Sequence, residues 1–146
     1  MAGSWNLTYE TATVSPGGDG SSETQREENI ACSLSEESTG IRIAYEETDA
    51  AGNRTACMLA VCADAGGEYS KVLFERRGEI SSSFVFCEGP AQPLQLETPY
   101  GRLNFEVETP ELHVKKERQR IEVRIRYRLV DSIDEEHLLV FLVSGT

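Results

Sequence analysis

Apolar and polar residues alternate along much of the chain, most clearly in Arg120–Leu129. Every second residue there is apolar, from Ile121 to Leu129, and the residues between them are arginine or glutamate. A period of two places successive side chains on opposite faces of an extended strand, so the segment predicts a strand with one buried and one solvated face. No helix would gather those apolar residues into a single stripe.

Shorter runs repeat this pattern. Alternation occurs at residues 5–10, 30–34, 41–46, 103–107 and 112–114, and residues 56–63, 83–87 and 138–143 are apolar on both faces. Turn-forming residues separate nearly all of these runs, for example at 16–20, 49–53 and 98–101. We therefore predict about eight to ten strands and a flexible loop at residues 15–22.

The connections between the predicted strands are too short for a crossover helix, which excludes a parallel sheet and favours antiparallel hairpins. A meander of one-sided strands forms either a sandwich or a closed barrel, and a closed barrel removes exposed sheet edges. We predict an all-β fold, an antiparallel up-and-down β-barrel, formed by residues 1–146 as a single domain.

Composition narrows the possible partners. The chain is 39% hydrophobic and 27% charged, which is typical of a globular domain, and its net charge is −11. Such an acidic chain is an unfavourable partner for nucleic acid. The apolar run at 138–143 is far shorter than the roughly 20 residues of a membrane helix. Because the N-terminus lacks the features of a secretory signal, we expect a cytoplasmic protein.

No residue pattern points to a cofactor, a metal or a reaction. The four cysteines, Cys32, Cys57, Cys62 and Cys87, are irregularly spaced, and we expect unbridged thiols in a reducing compartment. His113 and His137 lack the spacing of metal ligands and are read as solvated surface residues. We therefore expect a protein that is not an enzyme. Because residues from distant strands can converge in a barrel, a hydrolytic or isomerising enzyme is the alternative ranked last.

Three segments resemble a known family. Residues 41–47 resemble the I-x-Y-E-E strand of the bacterial YwiB-like family, residues 78–86 its G-E-x-S-S-x-x-x-F strand pair, and residues 97–103 its E-T-P-Y-G-x-L turn. The resemblance covers most of the chain from about Thr39 onward. It implies a calycin-like, lipocalin-like barrel and a domain of unknown function, and it supplies no catalytic residues.

The barrel interior is one candidate site. Small barrels of about eight strands are either filled with side chains or hold one small ligand. The aromatic residues predicted to face inward favour a filled core as the alternative to a pocket. If there is a pocket, we expect it to be lined by Tyr45, Phe84, Phe105 and Tyr127.

An arginine row is the other candidate. Arg124, Arg126 and Arg128 lie on one outward face about 7 Å apart, a spacing suited to carboxylates, phosphates or an acidic partner. The alternative is neutralisation across the sheet by Glu106 and Glu108.

We therefore expect a non-catalytic binding barrel for a small apolar or amphipathic ligand. The alternative is a protein-interaction module that docks an acidic partner, or a second copy as a homodimer, through the basic 115–128 hairpin. Weak binding of RNA is a lesser form of that alternative.

Overall fold

A computed structural model describes residues 4–14, 22–131 and 135–145 as ten strands. They are β1 (Trp5–Val14), β2 (Ser22–Glu37), β3 (Gly40–Thr48), β4 (Arg54–Ala63), β5 (Tyr69–Arg77), β6 (Ser81–Cys87), β7 (Gln92–Thr98), β8 (Gly101–Glu117), β9 (Arg120–Leu129) and β10 (Glu136–Gly145).

Each strand pairs antiparallel with its neighbour in sequence, and β1 pairs with β10 to close the sheet. The prediction of an all-β, antiparallel, up-and-down barrel is confirmed. No helix in the described part of the chain is long and apolar enough to cross a membrane.

Some boundaries differ from the sequence prediction. The runs at 103–107 and 112–114 belong to one strand, β8, which continues through a register shift between Glu108 and Glu111. Such a bulge bends a strand without ending it. The predicted loop at 15–22 is too long by one residue, because β2 already begins at Ser22. Residues 15–21 of that loop, with the predicted turn at 16–20, lie outside the described residues.

The middle of the barrel is filled by side chains. Inward-facing residues of opposite strands meet there and exclude water, as the alternation in β3 and β9 predicts. The largest fully buried members are Phe86, Phe141, Leu7, Ile43, Leu59, Ile121 and Ile125.

The end of the barrel that contains Trp5 and Gly145 is closed. These residues are paired directly, and a Cβ on Gly145 would lie 3.0 Å from the indole ring, so glycine makes room for Trp5. Lys116 Nζ lies 2.7 Å from Glu36 Oε1 although their strands, β8 and β2, are not neighbours. This ion pair therefore links two sides of the barrel at its closed end.

The opposite end, where β1 ends at Val14 and β10 begins at Glu136, is called the cleft end here. Near it β2 separates from β3, because their pairing stops at Cys32 and Tyr45 while each strand continues with its other neighbour. A bulge opposite Thr8, with Asn29 at a φ of 59°, turns β2 away at this level. The gap between residues 22–31 and 46–48 is called the slot.

Candidate functional site

Charged residues continue the inward phase of two strands at the cleft end. Glu47 follows Tyr45 on β3, and Arg76 follows Phe74 on β5, each two residues further along the strand. Their side chains therefore point to the same side as the buried core. Because β3 and β5 flank β4, the register brings the carboxylate and the guanidinium together at the base of the slot.

Arg76 and Glu47 form a partly buried ion pair. Arg76 Nη2 donates to Glu47 Oε2, with the two side chains 40% and 18% exposed. Burial by itself lowers the pKa of Arg76, but the charge and hydrogen bond of Glu47 outweigh it and raise that pKa. Arg76 Nε is buried and has no hydrogen-bond partner among the described residues. The guanidinium thus remains charged, and the Cys57 side chain lies close enough to affect its pKa.

An inner cleft of about 130 Å³ extends from Arg76 into an aromatic cluster. The ring centroids of Phe84 and Tyr127 are 5.7 Å apart in an edge-to-face arrangement, and those of Tyr127 and His137 are 4.9 Å apart and stacked. The full lining is Tyr9, Thr11, Ala12, Thr13, Phe74, Arg76, Phe84, Tyr127, His137, Leu138 and Leu139. This cleft therefore offers apolar ring surfaces with a cation at one side.

An outer cleft of about 430 Å³ lies in the slot and shares three residues with the inner one. Those shared residues are Tyr9, Thr11 and Arg76. The rest of its lining is polar: Gln25, Arg26 and Glu27 of β2, and Glu47 of β3. The two clefts together form one site with an apolar and a polar part, joined at Arg76.

Buried hydroxyl and thiol groups lie beneath the polar part. Tyr45 is 6% exposed, and its hydroxyl has no hydrogen-bond partner within residues 4–14, 22–131 and 135–145. Burial raises the pKa of both Tyr45 and Tyr9. Burial and the nearby charge of Glu47 likewise raise the pKa of Cys57, so its thiol stays protonated and unreactive at neutral pH.

The predicted interior residues are only partly brought together. Phe84 and Tyr127 line the inner cleft, and burial raises the pKa of Tyr127 to about 12. Tyr45 lies in the core and pairs across the sheet with Cys57. Phe105 packs against the core and lines neither cleft, because it lies opposite Leu94 on the β7 side of the barrel.

The predicted arginine row is present, and each arginine lies near at least one carboxylate. Arg124 lies 3.5 Å from Glu122, and Arg128 donates through Nε to Glu108 at 2.9 Å. Arg126 contacts two carboxylates, Glu111 at 3.3 Å and Glu136 at 2.9 Å. Neutralisation across the sheet involves Glu108, as the alternative had it, together with Glu111 and Glu136, and no ion pair joins the row to Glu106 in the described chain.

The histidines behave differently from each other. His113 is exposed, as predicted for a surface residue. His137 is half-buried instead, with Nδ1 at 3.4 Å from Thr13 Oγ1 and its ring stacked on Tyr127. The prediction of a solvated surface position is wrong for His137, because the inward phase of β10 continues through Leu139 to the cleft end.

Glu47 and Arg76 are site residues that the sequence pattern did not predict, although both carry one recognisable signal. Both are charged residues on the inward phase of a strand, directly after buried residues. A charge at such a position is costly unless it is paired, so two such charges of opposite sign indicate a mutual contact.

No group of three or more potential metal ligands occurs among the described residues, and all four cysteines are unbridged.

Comparison with known proteins agrees with the fold. The crystal structure of the YwiB protein from Bacillus subtilis matches with a TM-score of 0.78 over 99% of this chain and 92% of that chain, at 14% sequence identity. At this identity the likeness shows a shared fold alone. None of the curated proteins matches the chain significantly. The family model described as "Domain of unknown function (DUF1934)" matches residues 10–138, and the chain therefore belongs to that family.

Proposed function

We propose that the protein is a non-catalytic binding barrel that holds one small amphipathic ligand at its cleft end. The observation that carries this proposal is the inner cleft, where aromatic rings end at the guanidinium of Arg76, whose side chain is 40% exposed and also lines the outer cleft. Sites for small molecules commonly combine an apolar lining with a few placed polar groups.

The filled middle of the barrel limits where the ligand lies. Phe86 and Phe141 are fully buried across the interior, so the ligand does not pass through the barrel as it would through an open tube. Its apolar part packs on the rings of Phe84 and Tyr127. Its polar part lies in the outer cleft and accepts a hydrogen bond from Arg76.

The chemistry of the polar part follows from the donors that face it. Arg76 has no acceptor atoms, and a guanidinium binds carboxylate, sulfonate or phosphate oxygens well. Glu47 already neutralises part of this charge. We therefore expect a ligand with a single anionic or strongly accepting group on an aromatic or aliphatic body, rather than a polyanion.

A binding role, rather than catalysis, is supported by the state of the groups in the site. The raised pKa values of Tyr9, Tyr45 and Cys57 keep these groups protonated at neutral pH, so none of the three is an activated nucleophile or base.

Titration with the fluorescent dye anilinonaphthalene sulfonate tests this proposal, because the dye combines aromatic rings with one sulfonate. We expect the dye to bind the wild-type protein. Arg76→Met should lower the affinity for the dye about tenfold, since a charged hydrogen bond contributes roughly 1.5 kcal/mol. Phe84→Ala should weaken it as well. The matched control is Arg77→Met, because Arg77 lies next in sequence and is 80% exposed on the outer face.

Unchanged dye affinity in both Arg76→Met and Phe84→Ala would contradict the proposed site. Native mass spectrometry of protein purified gently from its own host, compared with the denatured sample, then identifies the natural ligand by its mass.

A further inference from the structure

The slot leaves one long stretch of β2 without a partner on its outer edge. β2 has 16 residues, and its pairing with β3 uses only the six from Cys32 to Glu37. Residues 22–31 pair with β1 on the other side and with no other strand of the described chain. At about 3.3 Å per residue, this free edge is roughly 33 Å long.

A free edge presents backbone N–H and C=O groups that a further strand can pair with. Here the edge borders a real space, because the outer cleft touches successive residues of β2, Gln25, Arg26 and Glu27. Gln25 and Glu27 lie on one face of the strand and Arg26 on the other, so the space lies along the strand edge and not over one face.

The charges around the slot select the kind of partner. The free edge and the facing residues 46–48 carry four acidic residues whose side chains the structure describes, Glu27, Glu28, Glu46 and Glu47. Three arginines oppose them: Arg26 pairs with Glu28 on the edge itself, and Arg54 and Arg76 pair with Glu46 and Glu47. One negative charge remains in excess, at Glu27, which forms no ion pair within the described residues.

This excess disfavours a second copy of the chain, because the same edge would then face itself with like charges. It favours a basic segment, which gains both backbone hydrogen bonds and charge complementarity. We infer that the slot is a docking site for an extended, positively charged segment of a partner protein, which pairs as an added strand with residues 22–31 of β2.

The inference goes beyond the proposed ligand site, although both use the cleft end. The ligand depends on Phe84 and Arg76, whereas the added strand depends on the backbone and the carboxylates of β2. The two proposals therefore fail separately.

Two synthetic peptides test the inference. The first is a fluorescently labelled ten-residue peptide of alternating lysine and threonine. The second has the same sequence with N-methyl groups on four consecutive central backbone nitrogens, which blocks pairing on both edges without changing the charge. We expect the first peptide to bind in a fluorescence-anisotropy titration, and the second to bind at least tenfold more weakly. Equal binding of the two peptides would mean non-specific charge attraction and would overturn the inference.

Variants of the protein locate the contact. We expect Glu27→Lys with Glu28→Lys to weaken the first peptide at least tenfold. Glu37→Lys with Glu117→Lys is the control, because it makes the same change in net charge at the closed end, where Glu37 lies opposite Gly40 and Glu117 opposite Arg120. An equal effect of the control would overturn the inference.

Amide hydrogen exchange on the wild-type protein supplies a readout that needs no variant. Binding of the first peptide should slow exchange at residues 22–31 and leave the rest of the barrel unchanged. Protection elsewhere, without protection at residues 22–31, would overturn the inference. Phe84→Ala should lower the affinity for the dye and leave the affinity for the peptide unchanged. The two measurements therefore distinguish a failure of the docking inference from a failure of the ligand proposal.

Discussion

Arg76 on β5 donates to Glu47 on β3 across the intervening strand β4, so a single ion pair joins alternate strands at the cleft end. Both groups are partly removed from water, and the Nε of Arg76 has no partner among the described residues. The pair therefore joins β3 and β5 at the base of the slot, while the Arg76 side chain, 40% exposed, also borders both clefts.

A double-mutant cycle on Arg76→Met and Glu47→Gln measures this contact in urea unfolding. We expect a coupling of about 1 kcal/mol, reduced from the value for a buried charged hydrogen bond because Arg76 is partly exposed to solvent. The control is the pair of Arg102 and Glu97, which lies at 2.6 Å but with both side chains more than half exposed. Its coupling should be below about 0.5 kcal/mol. Equal couplings would show that burial adds nothing at the cleft end.

Tyr45→Phe tests the buried hydroxyl. Because the hydroxyl is buried without a partner, its removal relieves a desolvation cost, and we expect the free energy of unfolding to rise by about 1 kcal/mol at neutral pH. Tyr100→Phe is the control, since Tyr100 is 99% exposed and its replacement should change nothing. A loss of stability in Tyr45→Phe would mean that the hydroxyl makes a stabilising hydrogen bond.

The same variant has a pH signature. Burial raises the folded-state pKa of Tyr45 above the unfolded value of about 10, so the folded state holds its proton more tightly. This contribution to stability is present below pH 10 and is lost as the pH rises through the folded pKa. We expect the free energy of unfolding to fall less steeply above pH 10 in Tyr45→Phe than in the wild type. Parallel curves would contradict the raised pKa.

Two neighbouring phenylalanines should separate core packing from ligand binding. Phe86 is fully buried, so Phe86→Ala should lower the free energy of unfolding by about 3–5 kcal/mol. Phe84 lines the inner cleft and is only partly buried, so Phe84→Ala should lower the free energy of unfolding clearly less than Phe86→Ala. It should nevertheless lower the affinity for the dye more. A larger stability loss in Phe84→Ala would place that ring in the core rather than in a binding site.

The sequence pattern predicted the strands correctly wherever one face of a strand is buried. The alternation of β9 and β3 reports burial directly, and both strands lie where it predicts. Residues 22–29 contain no apolar residue, and so the pattern contained no strand signal there. These residues are a strand because β1 supplies a partner, and that pairing depends on the register of the closed barrel.

The candidate site was less readable for a related reason. The inward phase of Glu47 and of Arg76 is visible within each strand, but their contact depends on two registers, Glu47 opposite Thr55 and Cys57 opposite Arg76. A sequence pattern within one strand does not fix the offset between neighbouring strands. The outward arginines of β9 show the opposite case. Alternation within the strand predicts their outward position, but it does not predict which carboxylates of the neighbouring strands pair with them.

Those arginines give the last prediction, which bears on the alternative of a docking module. Arg124, Arg126 and Arg128 contact carboxylates on β9, β8 and β10. A partner that docks on the row must first displace these contacts.

We expect the triple change of the three arginines to glutamine to lower the free energy of unfolding by about 1–2 kcal/mol in total, as the loss of exposed ion pairs does. The set of proteins captured from a host lysate should stay unchanged. Loss of a captured protein from the folded triple variant would instead establish the basic 115–128 hairpin as the docking surface. The matched variant is Arg42→Gln with Arg77→Gln and Arg102→Gln, which removes three exposed arginines from strands outside the row. If only the first variant loses the captured protein, the position of the charges on β9 is decisive, and if both lose it, the net charge of the molecule accounts for the effect.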